Sequence, residues 1–138
     1  MLLRKNTKVE MLRKVPLFAH CSKKELEAIA GLADEIHLEE GRELIREGQR
    51  GHEFFVIVEG DVVVRRKGRK VGTSGAGDFV GEMALVTGRP RNASVTAATP
   101  VRTLVVTAQA FQRLLETSPT IQNKVLRALA ERVPDDGT

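Results

Sequence analysis

The chain has 138 residues, enough for one domain with its own hydrophobic core, and its 41% apolar and 29% charged residues are ordinary for a soluble globular protein. Tryptophan and tyrosine are absent, which argues against a protein that stacks single-stranded nucleic acid on aromatic side chains. The net charge of +4 admits an anionic partner but does not identify one.

The single cysteine and the short apolar runs help to predict the cellular compartment of the protein. Cys21 excludes a disulfide within the chain, which favours a reducing compartment, and we interpret it as a small buried or loop thiol. The longest apolar run, from Phe54 to Val58, is far too short to cross a bilayer, and the basic N-terminus lacks the pattern of a signal peptide. We therefore predict a cytoplasmic protein without membrane contact.

The first quarter of the chain is predicted to be helical. Residues from about Val9 to Leu32 carry apolar side chains at helical spacing, and the stretch from Ser22 to Glu25 has the pattern of a capping box. Residues 1–33 are therefore expected to form an N-terminal helical bundle.

From Glu35 onward, apolar residues recur with a period of two in short runs separated by glycines. This pattern is typical of an all-β sandwich or barrel, which we assign to residues 34–106. The basic run from Arg65 to Lys70 is interrupted by Gly68 and lies between two valine-rich runs. We interpret it as a solvated hairpin tip, with a nucleic-acid patch as the alternative.

Two helices are predicted in residues 107–133. Thr107 has the chemistry of a helix cap, and Ser118–Pro119 is a good start for the second helix because proline suits the first helical position. An apolar stripe runs along this last helix, and residues 134–138 are predicted to form a polar tail. Since no repeat or linker is visible, we expect helices, a β-roll and helices to make one domain.

The segment of residues 79–95 is the most informative part of the chain. It places the carboxylate of Glu82 and the guanidinium of Arg91 on either side of a short loop that contains Gly88, with small residues beside both charges. Small residues let backbone amides approach a ligand, and a short helix starting near Gly81 aims its free amides at an anion. The residues alone leave two alternatives open: a buried structural ion pair, or a cradle for a phosphate with a hydroxyl-bearing neighbour.

The order and spacing of these residues resemble the phosphate-binding cassette of the cyclic-nucleotide-binding domain family, the ligand domain of cAMP receptor transcription factors and of cyclic-nucleotide-regulated channels and kinases. The shared pattern is matched by Phe79, Gly81, Glu82, Met83, Ala84, Leu85, Pro90, Arg91, Ala93, Ser94 and Val95. Val80 departs from it, because many members have phenylalanine directly before the glycine. Residues 48–60 resemble the family's strand–glycine–strand signature, residues 12–18 its N-terminal helical motif, and the two closing helices its lid region.

The resemblance implies a mainly β fold, a jelly-roll-like β-roll (double-stranded β-helix) with N-terminal helices and two C-terminal helices. It also implies that Glu82 accepts the ribose 2′-hydroxyl and that Arg91 pairs with the cyclic phosphate. Ser94 stands where a hydroxyl contacts guanine without excluding adenine, so cAMP is favoured on general grounds and cGMP stays open. The other positions expected at the site, as backbone amides or as the apolar wall, are Val62, Val64, Val71, Val80, Gly81, Met83, Ala84, Asn92 and Ala93.

The implied function is that of a sensor and not of an enzyme. The final helix is expected to close over the base through Leu126, Arg127 or Leu129, although the family's usual aromatic cap is missing. The domain needs no catalytic residue and no cofactor, and its expected partners are the cyclic nucleotide and either a second copy of the chain or an effector. Whether it is a free-standing sensor or a fragment of a larger regulator is left open.

Three other interpretations fit the sequence less well. A cupin-like metal enzyme needs clustered ligands, whereas His20, His37 and His52 are scattered along the chain. A DNA-binding regulator carries a helix-turn-helix after the lid helix, for which a chain ending at Thr138 has no room, so no nucleic-acid contact by this chain is expected. A degenerate relative keeps the fold for protein contacts alone, and the intact cassette with Arg91 argues against it.

Overall fold

The computed structural model describes the backbone of residues 3–136 and the side chains of residues 3–131. Within this range, helices at both ends flank eight strands. The helices are α1 (Lys5–Arg13), α2 (Lys23–Ala30), α3 (Ala84–Thr87), α4 (Ala108–Thr117) and α5 (Pro119–Asp136), with a 3-10 turn at Pro16–Phe18. The strands are β1 (Asp34–Leu38), β2 (Glu43–Ile45), β3 (Glu53–Glu59), β4 (Val62–Arg66), β5 (Arg69–Ser74), β6 (Phe79–Val80), β7 (Ser94–Ala97) and β8 (Val101–Thr107).

The strands form two four-stranded antiparallel sheets, in the orders β1-β8-β3-β6 and β2-β7-β4-β5. The predicted β-roll with flanking helices is therefore confirmed. The β4–β5 hairpin turns at Lys67 and Gly68, whose φ angles of 52° and 78° are the left-handed values of a tight hairpin turn. The basic run from Arg65 to Lys70 is thus a hairpin tip, as predicted.

Two apolar clusters use opposite faces of β3. Phe54 and Val56 pack with residues of the N-terminal helices, α4 and α5, a cluster that we call the helical core. Phe55 and Ile57 pack with valines and isoleucines from both sheets, a cluster that we call the roll core. Successive side chains of a strand point to opposite faces, so one strand supplies both cores.

The N-terminal helical region consists of α1, the 3-10 turn and α2, in line with the predicted group of helices. The break between α1 and the 3-10 turn falls at Val15, whose extended backbone (φ −77°, ψ 121°) follows from the proline at position 16, because a residue before proline is disfavoured in the α conformation. The predicted capping box is confirmed: the Ser22 amide donates to Glu25 Oε1 at 2.7 Å, and the Glu25 amide donates to Ser22 Oγ at 3.2 Å.

The closing helices begin where the sequence predicts. The Thr107 hydroxyl accepts the Ala110 amide at 3.2 Å at the start of α4, and α5 starts at Pro119. The helix α5 ends at Asp136, so it takes up most of the predicted tail, and residues 137 and 138 lie outside the described range. None of the helices described in residues 3–136 is long and apolar enough to cross a membrane.

The helix α5 lies against the N-terminal helices. Its side chains Ile121 and Val125 are buried in the helical core. Two polar contacts also join the surface of α5 to the N-terminal helical region. The Lys124 ammonium bonds to Glu25 Oε1 at 2.5 Å, and the His20 ring contacts the carboxylate of Glu131 at 2.5 Å.

The contact between Glu25 and Lys124 predicts a pH-dependent contribution to stability. The hydrogen bond from Lys124, helped by the Ser22 amide, lowers the pKa of Glu25 from its usual 4.5 to about 2. A carboxylate with a lowered pKa stabilises the fold fully above its unfolded-state pKa, and this contribution is lost as the pH falls from about 4.5 towards 2. Glu25→Gln keeps a capping-box acceptor but removes the charge.

We therefore expect Glu25→Gln to lower the free energy of unfolding by about 1 kcal/mol at neutral pH, with a smaller difference near pH 3. Urea unfolding of both proteins at the two pH values measures this. Glu10→Gln is the matched control, because Glu10 forms an exposed pair with Arg13 within one helix. A difference for Glu25→Gln that does not change with pH would contradict the assignment.

Candidate functional site

A cavity of about 600 Å³ opens between the strands of the roll and the loop that follows α3. Its apolar wall is formed by Ile45 of β2, Val64 of β4, Val80 of β6 and Val95 of β7. Its polar side is formed by residues 89–92. The other lining residues are Gly81, Met83, Ala84, Thr87 and Ala93. A mostly apolar cavity with a few convergent polar groups is the usual form of a small-molecule site.

The guanidinium of Arg91 is held in place by backbone carbonyls. Its Nη2 donates to the carbonyl oxygen of Glu53 at 2.6 Å, and its Nη1 lies 3.5 Å from the carbonyl oxygen of Gly81. Burial lowers the pKa of Arg91, and the Glu53 carboxylate opposes this by favouring the charged form. A partly desolvated cation of this kind gains from an anion bound beside it.

Two glycines flank this guanidinium. A Cβ atom at Gly51 would lie 2.9 Å from Cζ of Arg91 and 2.7 Å from Cβ of Ala84. A Cβ atom at Gly81 would collide with Nη1 of Arg91, and the φ of +79° at Gly81 also favours glycine. The sequence predicts a role for Gly81 but not for Gly51, because the requirement at Gly51 comes from side chains that are distant in the sequence.

The loop that carries Arg91 is paired with a second loop. The Gly48 amide donates to the carbonyl of Arg91 at 2.8 Å, and the Arg91 amide donates to the carbonyl of Gln49 at 2.7 Å. The Gly51 amide adds a bond of 3.2 Å to the carbonyl of Arg89. These bonds fix the backbone of the loop that carries the guanidinium.

The short helix expected near Gly81 is present, but it is a single turn that starts at Ala84. The amide of Ala84 donates to the carbonyl of Gly81 at 3.0 Å, so this amide is engaged inside the turn instead of being presented to a ligand. Glu82 is only 9% exposed and is not part of the cavity lining, and its contact with a ribose stays a prediction. Gly88, with a φ of 61°, ends the turn.

Most of the predicted cassette residues are brought together. Those that line the cavity are Val64, Val80, Gly81, Met83, Ala84, Arg91, Asn92 and Ala93. Val62 lies in the roll core. Ser94 lies outside the lining, and its hydroxyl accepts the Glu47 amide at 2.9 Å. Contacts between any of these residues and a ligand stay a prediction.

Val71 was predicted to be part of the wall but is not part of the cavity. It is 54% exposed, and a register shift between Val64 and Arg65 leaves it as an extra residue of β5. A bulge of this kind changes the direction of the side chain, and simple alternation along the strand does not anticipate it.

The predicted lid residues also lie away from the cavity. Leu126 is 56% exposed, Arg127 is exposed, and Leu129 packs against the helical core. The reason is the docking of α5 on the N-terminal helices, which the sequence pattern does not reveal. Five lining residues were missing from the predicted site, namely Ile45, Thr87, Arg89, Pro90 and Val95, of which the last two belong to the cassette motif itself.

The metal alternative gains no support from the described part of the chain. Among residues 3–131, no group of three or more histidine, cysteine, aspartate or glutamate side chains is placed to hold a metal ion. His20 contacts Glu131, as described above. Cys21 is buried, as predicted, and burial raises the pKa of its thiol to about 11.

Comparison with known proteins agrees with this geometry. The model of the cyclic nucleotide-binding domain family matches residues 35–118. The chain is 39% identical over 124 residues to a cyclic nucleotide-gated potassium channel of Rhizobium etli, covering 89% of this chain and 34% of the channel. It is 39% identical over 118 residues to a cAMP-dependent protein kinase regulatory subunit of Mycosarcoma maydis, covering 77% of this chain and 22% of that subunit.

A solved structure, the N-terminal domain of a transcriptional regulator from Streptomyces coelicolor A3(2), superposes with a TM-score of 0.82 at 30% identity, covering 91% of this chain and 94% of that domain. The chain spans about a third of the length of the channel and about a fifth of that of the kinase subunit. The resemblance read from residues 79–95 is confirmed by these matches. The chain belongs to the cyclic nucleotide-binding domain family.

Proposed function

We propose that this domain binds a 3′,5′-cyclic nucleotide, cAMP in preference to cGMP, as the sensing part of a regulator that is not itself an enzyme. The observation that carries the proposal is the guanidinium of Arg91. It lies between Gly51 and Gly81 at the wall of the cavity, partly desolvated, with its orientation set by the Glu53 carbonyl. The named functions of the channel and kinase relatives support the same ligand class.

The two sides of the cavity suit the two ends of a cyclic nucleotide. Arg91 supplies a charge-assisted contact for the cyclic phosphate, and cassette amides other than those of Ala84 and Arg91, which are engaged within the protein, complete the cradle. Val64, Val95 and Ile45 supply an apolar surface for the purine and ribose. We assign the ribose 2′-hydroxyl to Glu82, which requires its carboxylate to turn from its buried position towards the ligand.

The preference for cAMP rests on Ser94. Its hydroxyl oxygen already accepts the Glu47 amide, and its side chain lies outside the cavity lining. A guanine amino group needs an acceptor, and this hydroxyl oxygen has only one of its two lone pairs left to offer. Adenine needs no acceptor from Ser94, so the affinity for cAMP is not lowered at this position.

The signal would be a population shift of α5. In this structure α5 lies on the N-terminal helices, fastened by Lys124 and His20. A ligand moves α5 only if it binds more tightly to the conformer in which Leu126 or its neighbours cover the base. The downstream partner, an effector or a second copy of the chain, receives this change.

Titration calorimetry on nucleotide-free protein tests the proposal. We expect cAMP to bind with a dissociation constant of about 1 µM or less, and cGMP to bind more weakly, in line with the free energy of several charged hydrogen bonds. Linear 5′-AMP is the control for recognition of the cyclic phosphate. The proposal fails if neither cyclic nucleotide produces heat or displaces a fluorescent cAMP analogue.

A further inference from the structure

The tip of the β4–β5 hairpin carries five cations within six residues, Arg65, Arg66, Lys67, Arg69 and Lys70, which we call the basic arm. The register places Arg65 opposite Lys70 and Arg66 opposite Arg69. Like charges directly opposite each other destabilise a strand pair. Charge repulsion therefore destabilises the hairpin locally. A solvated tip with no function does not need this cluster of cations.

The basic arm stands at the mouth of the cavity. Side chains two residues apart on a strand share a face, so Arg66 follows the buried Val62 and the cavity-lining Val64 on the inner face of β4. Its Nε donates to the carbonyl of Asn92 at 3.1 Å, and Asn92 lines the cavity next to Arg91. The guanidinium of Arg66 is thus attached to the loop that holds the proposed phosphate site.

A second contact keeps the arm in this place. The amide of Lys67 donates to Glu47 Oε1 at 2.8 Å, and the amide of Glu47 donates to the hydroxyl of Ser94 at 2.9 Å. Among the ion pairs of residues 3–131 that fall within 4.0 Å, none involves a cation of the arm or Arg89, which also lines the cavity. The Glu47 carboxylate offsets part of this charge, but it is a single anion beside the five cations of the arm, so a positive field remains at the mouth.

We propose that the basic arm, with Arg66 as its central residue, attracts the anionic ligand to the cavity and accelerates its association. The proposal rests on the proposed function, since it concerns the same site. A cavity edged by charges of one sign raises association rates, and the effect falls steeply as salt shortens the range of the field.

Stopped-flow association of a fluorescent cAMP analogue distinguishes an electrostatic effect of Arg66 from structural support of the loop at Asn92. The fluorescent analogue is needed because the chain has no tryptophan or tyrosine. We expect Arg66→Gln to lower the association rate constant about three- to tenfold at low salt and by less than twofold at about 0.5 M salt. Arg66→Lys keeps the charge and should retain the wild-type association rate. Lys24→Gln removes an equal charge from the exposed side of α2 and should change nothing.

Equal association rates for Arg66→Gln and wild type at low salt, or an equal loss in Lys24→Gln, overturn the proposal. A loss that Arg66→Lys shares and that salt does not remove shows structural support alone, which also overturns it. If wild-type protein binds no cyclic nucleotide, the proposed function fails but the arm is still tested with inorganic phosphate. Phosphate should then shift the amide resonances of residue 89 and residues 91–93 less in Arg66→Gln than in Lys24→Gln, and equal shifts contradict the role of the arm.

Discussion

Replacing Arg91 by alanine is expected to weaken cAMP binding by about tenfold to a hundredfold. The change removes the charge-assisted contact to the cyclic phosphate, and such contacts contribute about 1.5–3 kcal/mol. It also leaves the carbonyl of Glu53 without the 2.6 Å bond that it receives from Nη2. Calorimetry at constant salt measures the loss directly.

Two further variants separate the phosphate contact from general effects of charge. Arg91→Lys keeps a cation but loses the planar fork, and we expect it to recover only part of the affinity. Arg42→Ala removes an exposed arginine that does not line the cavity and should bind cAMP as the wild type does. Equal affinities for Arg91→Ala and Arg42→Ala would show that the phosphate does not bind at Arg91.

The second large effect is expected from Gly51→Ala, although a single methyl group is added. The new Cβ atom would lie 2.9 Å from Cζ of Arg91 and 2.7 Å from Cβ of Ala84, so either the guanidinium or α3 must move. Overpacking of this kind destabilises a fold by about 1–3 kcal/mol. We also expect at least about a tenfold loss of cAMP affinity, because the displaced guanidinium no longer meets the phosphate.

The matched control is Gly72→Ala in β5. No atom lies within 4 Å of a Cβ placed at Gly72, and its backbone is not left-handed. This variant should bind cAMP normally and be as stable as the wild type or slightly more stable. Urea unfolding and calorimetry on both variants test the pair. Normal affinity in Gly51→Ala would mean that the site does not depend on the observed position of Arg91.

Features encoded by neighbouring residues were predictable from the sequence. The capping box at Ser22 and the cap at Thr107 each involve residues three apart, so a short stretch of sequence specifies them. The cassette is similar, because the order of its residues within positions 79–95 is sufficient to recognise it. The hairpin tip at Lys67 and Gly68 follows from a glycine between two valine-rich runs.

Features that depend on distant packing were missed. The bulge at Val71 arises from the register between two strands, and the composition of β5 does not specify it. The docking of α5 depends on Glu25 and His20, which are about one hundred positions away in the sequence and come close only in the folded chain. The need for glycine at position 51 likewise arises only when Arg91 has been placed next to it.

The single turn α3 belongs to both halves of the domain. Ala84 and Thr87 line the cavity, whereas Leu85 is fully buried in the helical core, and the carbonyl of Leu85 accepts the side-chain amide of Gln112 from α4 at 3.1 Å. Protein interiors are close-packed, so α3 does not shift on one side without repacking the other. The turn therefore contacts both the cavity and α4, and a shift of α3 towards either one requires repacking against the other.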